Sequence, residues 1–271
     1  MLDVVILAAG QGSRMKSDLP KVLHPVGGRP MVQHVIDAAR KHAERIILVV
    51  GHGQDLVRNA LAGQDLIFVE QTEQLGTGHA LAQALPHLTP GGVTLMLYGD
   101  GPLIADADLQ SLIESGKKGE YALLTADLPD PTGYGRIIRA KDQPSAIVEQ
   151  KDATPDQQAI TEINTGLLCA PTNSFAKYLP QLSSDNAQSE YYVTDCLAMA
   201  VQSGQPTRAV VTSDVESVLG ANDRIQLAEL EAAYQRRERH RLMREGATLI
   251  DPARVSIQGK VTTGRDCLIH P

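Results

Sequence analysis

Residues 4–10, VVILAAG, run from a β-branched apolar stretch into small residues and a glycine. A short apolar run that ends at Gly is typical of a buried strand followed by a turn. A helix-period segment follows at 31–40, MVQHVIDAAR, and then a second apolar run at 45–53, RIILVVGHG. Strands that alternate with helices in this way predict an α/β fold built on a parallel sheet.

The same alternation continues outward from this stretch. Further helix and strand patterns occupy 55–62 (DLVRNALA), 66–71 (LIFVEQ), 78–85 (GHALAQAL) and 93–100 (VTLMLYGD). The last segment is apolar almost throughout, as expected of a central strand covered on both faces. Parallel sheets bind ligands beyond the carboxyl ends of their strands. We therefore expect the loop 7–15 and the pair Gly99 and Asp100 to face one cleft.

The pattern changes from about residue 120. Strand-like pieces separated by turn residues follow one another: YALLTADL, DPTGYGRIIR, SAIVEQKDAT and EINTGLLCA. They predict a more antiparallel half of the same domain. Residues 186–204 return to helix period.

The carboxyl-terminal part has two patterns of its own. A charged helix is predicted from about Asp223 to Arg244, with a solvated connecting role as the plainest interpretation. Beyond it, Val255, Val261 and Cys267 recur every six residues. A hexapeptide period indicates the first turns of a β-helix, although chance also explains so short a match.

Composition limits the possible partners. A net charge of −7 and 3% aromatic residues do not favour a nucleic-acid surface, so no nucleic-acid partner is expected. No stretch reaches the roughly 20 apolar residues of a membrane helix, and the chain enters a strand directly after Met1. We expect a cytoplasmic protein without a membrane partner. The cysteines, three and far apart, predict neither disulfides nor a zinc site.

The glycine-rich loop LAAGQGSRMKSDLPK fits neither familiar phosphate-binding motif. Met15 occupies the position of the third Gly in a dinucleotide fingerprint, and the spacing is not that of a P-loop. What remains is a turn of small residues whose backbone N–H groups can converge on an anion, with Arg14 and Lys21 supplying positive charge. A tight turn with two surface cations is the alternative.

LAAG, GSRM and LPK together resemble the signature of the nucleotidyltransferases that activate sugar phosphates. With EQTEQLGTGHA (70–80), TLMLYGD and EINTGLL, the chain resembles the bacterial N-acetylglucosamine-1-phosphate uridylyltransferases. The resemblance implies a Rossmann-like, mixed but mainly parallel sheet. It also implies a uridylyltransferase domain at 1–225, a linker helix at 226–246 and the start of a left-handed β-helix at 247–271.

That family implies more about the whole protein. Its members are bifunctional and also acetylate glucosamine 1-phosphate from acetyl-CoA, an activity that we expect to be absent from this chain. A homotrimer formed through the β-helix is implied for the full-length protein, together with a role in the supply of cell-wall precursors.

The resemblance also assigns residues. Leu7, Ala8, Ala9, Gly10, Gln71, Gly76, Thr77, Tyr98 and Gly99 are implied for the nucleotide, and Gly135, Glu149 and Asn164 for the N-acetylhexosamine. Amide and carboxylate groups suit such directional recognition of a base or a sugar. Tyr191, Tyr192 and Thr194 are expected to flank the sugar. Each assigned residue also has an ordinary structural interpretation, as a loop or strand-end residue.

Asp100 and Asn222 are paired by the resemblance on Mg²⁺, for which carboxylate and amide oxygens are suitable ligands. Without the resemblance, Asp100 is a turn residue and Asn222 a helix N-cap. Gly101 departs from the expected pattern, which has a bulkier apolar residue after the Asp, and the departure predicts a looser turn.

The implied reaction is transfer of UMP from UTP to N-acetylglucosamine 1-phosphate. We expect in-line attack without a protein nucleophile, with Arg14 and Lys21 as the catalytic cations. Neither His34 nor His52 belongs to a triad or an HExxH motif. Another sugar phosphate as substrate, or a noncatalytic nucleotide-sugar sensor, are the alternatives.

Overall fold

The computed structural model describes residues 1–43 and 45–271. A nine-stranded mixed sheet forms its centre. The strands of the described residues are β1 Leu2–Ala8, β2 Pro25–Val26, β3 Arg29–Pro30, β4 Arg45–Val50, β5 Ile67–Glu70, β6 Val93–Tyr98, β7 Tyr121–Asp127, β8 Arg136–Ala140, β9 Gln143–Val148, β10 Glu162–Pro171, β11 Thr207–Val211, β12 Thr248–Leu249 and β13 Leu268–Ile269. The helices are α1 Met31–Ala39, α2 Gln54–Ala60, α3 Thr77–Ala84, α4 Asp106–Lys117, α5 Pro155–Gln158, α6 Thr172–Tyr178, α7 Asp195–Gln202 and α8 Arg224–Arg244.

The strand order β11-β7-β10-β6-β1-β4-β5 confirms the predicted fold class, and the remaining two strands join through β8, which pairs with β10 and with β9. β1 lies between β4 and β6 and is parallel to both, and β5 extends this parallel half. β10 is antiparallel to β6 and β7 on either side of it, whereas β11 is parallel to β7. The sheet is therefore mixed but mainly parallel.

Both faces of β1 are buried, which explains the unbroken apolar run that opens the chain. Val4, Ile6 and Ala8 belong to one core cluster, whereas Val5 and Leu7 belong to another on the opposite face of the sheet. Alternate side chains of a strand point to opposite faces, so a strand covered by helices on both sides is apolar throughout.

The predicted stripe of α1 is also present: Met31, Val32, Val35, Ile36 and Ala39 are all buried. Spacings of three and four residues place these side chains on one face of a helix. That face packs against the sheet and fixes the segment that follows the glycine-rich loop.

One predicted helix was too long. Of residues 186–204, only Asp195–Gln202 is helical. The Asn186 side chain accepts hydrogen bonds from the backbone N–H groups of Gln188 and Glu190, and Ser189 has a positive φ of 55°. Local hydrogen bonds from an Asn side chain compete with a helix, and here they favour a turn.

α8 begins where the sequence predicted, because the Asp223 carboxylate accepts hydrogen bonds from the N–H groups of Ile225 and Gln226. It is more than a solvated connection. Leu230 and Ala233 are buried in a cluster with Val26 and Leu103, so the helix packs on the body of the domain. Within the ranges that the structure describes, no helix combines the length and apolarity that crossing a membrane requires.

The tail after α8 packs its period-six residues together. Leu249, Val255, Val261 and Cys267 share one apolar cluster with Leu242 of α8. β12 and β13 pair in parallel, as neighbouring turns of a coil do. The division of the chain at residues 225 and 246, and the left-handed sense of the coil, stay predictions.

Candidate active site

A cleft of about 490 Å³ opens beyond the carboxyl ends of β1, β5 and β6. Such a crevice is the usual ligand site of an open α/β sheet. Ten of the residues predicted for the nucleotide and the reaction line it: Leu7, Ala8, Ala9, Gly10, Lys21, Gln71, Gly76, Thr77, Tyr98 and Asp100. The cleft therefore joins residues that are as far apart as 7 and 100 in the chain.

The glycine-rich loop forms one wall of the cleft. Among the described residues, no backbone or side-chain acceptor takes a hydrogen bond from the N–H groups of Gly10, Gln11 or Gly12. Gly12 has a φ of 61°, and a β-carbon there would lie 2.8 Å from Cβ of Lys21. Only Gly suits both the backbone conformation and the close approach. The loop thus offers backbone N–H donors to an anion, next to Cβ of Lys21.

Lys21 contacts both Asp100 and Asn222, the two residues that the resemblance implies as metal ligands. Its ammonium Nζ lies 2.5 Å from Oδ2 of Asp100 and 3.2 Å from Oδ1 of Asn222. Asp100 follows β6, whereas Asn222 precedes α8. The N-cap of α8 is Asp223, so the Asn222 side chain does not cap the helix; it contacts Lys21 but is not among the residues that line the cleft. Residues 201 positions apart in the chain thereby meet at one point.

The donor set of Asp100 and Asn222 fits Mg²⁺. Their two oxygens already converge on one cation, the Lys21 ammonium. Within residues 1–43 and 45–271, no group of three or more His, Cys, Asp or Glu side chains could hold a metal ion by itself. Mg²⁺ commonly takes one or two protein oxygens and completes its shell with phosphate oxygens and water. The two oxygens of Asp100 and Asn222 match this preference of Mg²⁺ for few protein ligands.

The predicted base-reading segment lies at the far side of the cleft. Gln71 is only 4% exposed, and its Nε2 amide donates to the Gly76 carbonyl oxygen at 3.1 Å and lies 3.1 Å from Nδ1 of His79. Gly76 precedes α3 with a φ of 106°, and a β-carbon there would lie 2.7 Å from the Tyr191 carbonyl oxygen. The amide thus holds the loop in shape as well as lining the cleft.

The residues predicted for the sugar lie next to Tyr98. The Asn164 N–H donates to the Gly135 carbonyl oxygen at 2.8 Å, and a β-carbon on Gly135 would lie 3.3 Å from Oε2 of Glu149. Asn164 sits where β10 changes register against β7, and its Oδ1 accepts from the Gly166 N–H at 3.1 Å. Gly135, Glu149 and Asn164 therefore lie together in the antiparallel half of the sheet. These three residues, predicted to contact the sugar, are called the sugar group.

The electrostatics of this group favour neutral forms. Burial raises the pKa of Glu149, a hydrogen bond from the Thr194 hydroxyl at 3.1 Å acts against that rise, and the negative charges of Asp195, Asp152 and Glu190 add to it. Burial also raises the pKa of the Tyr98 hydroxyl, with a further contribution from the charges of Glu149 and Asp100. Tyr98 is therefore close enough to both Asp100 and Glu149 for each carboxylate to raise the pKa of its hydroxyl.

Sequence reasoning missed Arg136, which is 1% exposed. Its guanidinium donates to the Tyr134 carbonyl oxygen, to Oε1 of Gln150 at 2.7 Å and to the Gln158 carbonyl oxygen at 3.3 Å. It ties the loops that contain Tyr134 and Gln150 to the end of α5, next to Gly135. A cation inside the apolar segment GRII was the available signal, but the sequence does not reveal which loops the side chain would reach.

Other placements differ from the prediction. Arg14 is exposed in the 3-10 turn Ser13–Met15 and is not among the residues that line the cleft. Gln74 and Glu190 line the cleft and were not predicted. Both lie in loops, and only the fold brings residues 74 and 190 to one wall. Tyr191 packs on the Gly76 loop, where its carbonyl oxygen accepts from the Gly78 N–H at 2.8 Å.

The fold is that of the nucleotidyltransferases. A solved nucleotidyl transferase from Methanothermobacter thermautotroptrophicus superposes with a TM-score of 0.60 at 19% identity, covering 88% of this chain and 99% of the other. A UDP-glucose pyrophosphorylase solved with UDP-glucose superposes with a TM-score of 0.71 at 16% identity, over 87% and 98% of the two chains. At this identity the likeness concerns the fold alone.

The chain belongs to the MobA-like NTP transferase domain family, whose model matches residues 4–249. It is also similar to two proteins named bifunctional protein GlmU. That of Pseudomonas paraeruginosa is 56% identical over 271 residues, and that of Saccharophagus degradans is 51% identical over 270 residues. The matches cover 99% of this chain but 59% and 60% of those relatives, so the chain spans about 60% of their length.

Proposed function

We propose that the cleft transfers the uridylyl group of UTP to N-acetylglucosamine 1-phosphate, giving UDP-N-acetylglucosamine and pyrophosphate. The observation that carries the proposal is the convergence of Lys21, Asp100 and Asn222 between the glycine-rich loop and the sugar group. Membership of the NTP transferase family and the 50–56% identity to the GlmU proteins support the same reaction.

The chemistry requires alignment and charge neutralisation. A phosphate oxygen of the sugar phosphate attacks the α-phosphorus of UTP, a new P–O bond forms, and the bond to the bridging oxygen breaks as pyrophosphate leaves with the electron pair. The attacking oxygen is already anionic, so no strong base is needed. Negative charge moves onto the leaving pyrophosphate, and that is where preorganised donors contribute most.

The chain supplies those donors from two sides. The loop amides of Gly10 and Gly12 face the triphosphate, Lys21 bridges the reacting phosphates, and Arg14 neutralises the leaving pyrophosphate. Asp100 and Asn222 hold Mg²⁺, which when bound offsets phosphate charge and orients both substrates. Gln71 and the backbone of Gly76 read the uracil.

The sugar group orients the acceptor. Glu149 and Asn164 hydrogen-bond the hydroxyl and acetamido groups of the sugar, and Gly135 allows the backbone to approach it. Tyr98 separates the two substrates so that the acceptor phosphate faces the α-phosphorus. Alignment of this kind contributes several kcal/mol to catalysis, about 7–11 kcal/mol in well-oriented model reactions.

The GlmU relatives are longer than this chain. For the full-length protein we propose acetyl transfer to glucosamine 1-phosphate in the remaining β-helix, a homotrimer formed by that domain, and a cytoplasmic role in the supply of cell-wall precursors. These proposals rest on the motif resemblance, and the relatives' name adds only that they are bifunctional.

The experiment that tests the site is pyrophosphate release from UTP and N-acetylglucosamine 1-phosphate in Asp100→Ala and Asn222→Ala. Both substitutions should lower kcat at least about 100-fold, because each removes a ligand from the reacting centre. Asp65→Ala, which removes an exposed carboxylate away from the cleft, is the control. Near-normal activity in both site variants would refute the assignment.

Lys21 and Gln71 have separable effects. Lys21→Ala should lower turnover more than it weakens UTP binding, because its contacts strengthen as charge develops in the transition state. Gln71→Ala should instead raise KM for UTP. Weaker UTP binding with an unchanged kcat in Lys21→Ala would place the lysine in binding alone.

A further inference from the structure

We infer that Lys21 is an exchangeable counter-ion: its ammonium occupies the Asp100–Asn222 cation seat until a divalent metal displaces it toward the phosphates. The inference rests on the proposed function, which assigns that seat to Mg²⁺. It adds an order of events, in which one cation replaces another at the same two oxygens.

The contacts of Nζ support a shared seat. Nζ lies 2.5 Å from the Asp100 carboxylate and 3.2 Å from the Asn222 amide oxygen, so both proposed metal ligands are already directed at one cation. A divalent ion bound to the same two oxygens would lie within van der Waals distance of the ammonium. Two cations at that separation repel strongly, so only one can occupy the seat.

The surroundings of Asp100 make it unfavourable to remove the Lys21 ammonium unless a metal ion replaces it. The side chains of Lys21 and Asp100 are 18% and 16% exposed, so water screens their charges only partly. Gly220 lies behind Asp100, and a β-carbon there would be 3.2 Å from Oδ2, so a larger residue at 220 would press on the carboxylate. Removal of Nζ without a replacement would leave a half-buried carboxylate unpaired.

The lysine side chain is able to move. Its Cβ is fixed against Gly12, but three further methylene groups separate that anchor from the ammonium. Both Lys21 and the glycine-rich loop line the same cleft, so a displaced Nζ remains within the space assigned to the triphosphate. Metal entry would thereby deliver a positive charge to the phosphates.

Binding of metal and nucleotide is consequently linked. The metal competes with Lys21 in the free protein, and a triphosphate favours the exchange because it offers the displaced ammonium a new anionic partner. By linkage, each ligand tightens the binding of the other by the same factor.

The exchange is tested by measuring Mn²⁺ binding to the nucleotide-free protein. The electron paramagnetic resonance signal of free Mn²⁺ reports how much Mn²⁺ is unbound. Lys21→Met should tighten Mn²⁺ binding about fivefold or more, the lower end of coupling between ligands that exclude each other. Lys16→Met is the matched control, because Lys16 is an exposed cation of the same loop, and it should change the affinity less than about twofold. Thermal denaturation of each variant verifies folding.

Asp100→Asn separates this inference from the proposed function. If Asp100→Asn weakens Mn²⁺ binding and Lys21→Met tightens it beyond the control, both stand. If Asp100→Asn weakens binding but Lys21→Met does not exceed Lys16→Met, the exchange is wrong and the metal seat stands. If Asp100→Asn has no effect, or no variant binds Mn²⁺, the metal assignment fails and the exchange fails with it.

Discussion

Gly166 of β10 lies directly against the ring of Tyr98, so closely that a β-carbon on Gly166 would overlap ring carbons Cδ2, Cε2 and Cζ. Gly166 also has a φ of 83°, at the irregularity between Asn164 and Leu168. The bulge therefore does two things at once. It interrupts the pairing of β10 with β7 next to Asn164, and it leaves room for the Tyr98 ring.

Gly166→Ala should destabilise the protein and lower activity. A positive φ costs a residue with a side chain about 1–2 kcal/mol, and the overlap with Tyr98 adds about 1–3 kcal/mol. Gly63→Ala is the matched control, since Gly63 has a φ of 78° and nothing within 4 Å of its β-carbon position. Urea denaturation measures both, and an equal loss of stability in the two variants would show that the Tyr98 contact contributes nothing.

Gly101→Ala should stabilise the protein by about 0.4–1 kcal/mol, because it restricts the unfolded chain without straining the folded one. The nearest atoms to a β-carbon at Gly101 lie 3.9 and 4.0 Å away, and its φ lies outside the left-handed region. The space for the expected bulkier residue is thus present. Gly220→Ala is the contrasting variant, because its β-carbon would lie 3.2 Å from Oδ2 of Asp100.

These two variants should therefore separate stability from activity. Gly101→Ala should raise the urea midpoint and leave kcat unchanged, whereas Gly220→Ala should lower kcat by displacing the carboxylate. A loss of stability in Gly101→Ala would mean that the turn after Asp100 needs the freedom of glycine.

Glu149→Gln should change how stability depends on pH. Burial raises the pKa of Glu149 above 4.5, so the folded protein retains this proton when the unfolded chain has lost it. Stability therefore falls as the pH rises from about 4.5 through the raised pKa of the folded state. Gln cannot ionise, so the variant should gain stability relative to the wild type across this window and keep the gain at higher pH.

Urea denaturation at a series of pH values between 4 and 8, roughly the range in which carboxylates and His titrate, measures this difference. Glu114→Gln, on an exposed face of α4, removes a carboxylate without the burial and should give a flat difference. KM for the sugar phosphate should rise in Glu149→Gln alone. A stability difference that does not vary with pH would contradict the assigned cause of the pKa shift.

Arg136→Met should destabilise the protein and raise KM for the sugar phosphate more than KM for UTP. It would leave the half-buried acceptors of Tyr134 and Gln150 without their donor, at a cost of about 1–3 kcal/mol each, whereas water can reach the exposed Gln158. Arg139→Met, on the same strand, breaks an exposed pair with Glu162 and should cost less than about 1 kcal/mol. Equal changes in the two KM values would confine Arg136 to a general structural role.

Local pattern was sufficient for the parallel half of the fold. The runs at 4–10 and 93–100 were predictable as strands because strands buried on both faces are apolar throughout. In the structure these two strands are neighbours. The helix predicted at 186–204 forms only in its second half, because hydrogen bonds to the Asn186 side chain favour a turn in the first half. Period alone does not report such local competition.

The site was predictable only in part. Motif resemblance singled out Asp100 and Asn222, but their meeting on Lys21 depends on the placement of Asn222, 201 residues from Lys21 and just before α8. The antiparallel insertion of β10 between β6 and β7 likewise depends on long-range packing. Arg136 was missed because its partners lie in two loops and at the end of α5, which only the fold brings together.

Formation of UDP-N-acetylglucosamine by the purified protein tests the central claim most directly. UTP, Mg²⁺ and N-acetylglucosamine 1-phosphate should give this product and an equal amount of pyrophosphate, measured by mass spectrometry and a coupled pyrophosphate assay. Glucose 1-phosphate, glucosamine 1-phosphate and dTTP should each give a much lower kcat/KM in the same panel. Binding of both substrates without turnover would indicate a sensor, and faster turnover of another sugar phosphate or of dTTP would contradict the assigned specificity.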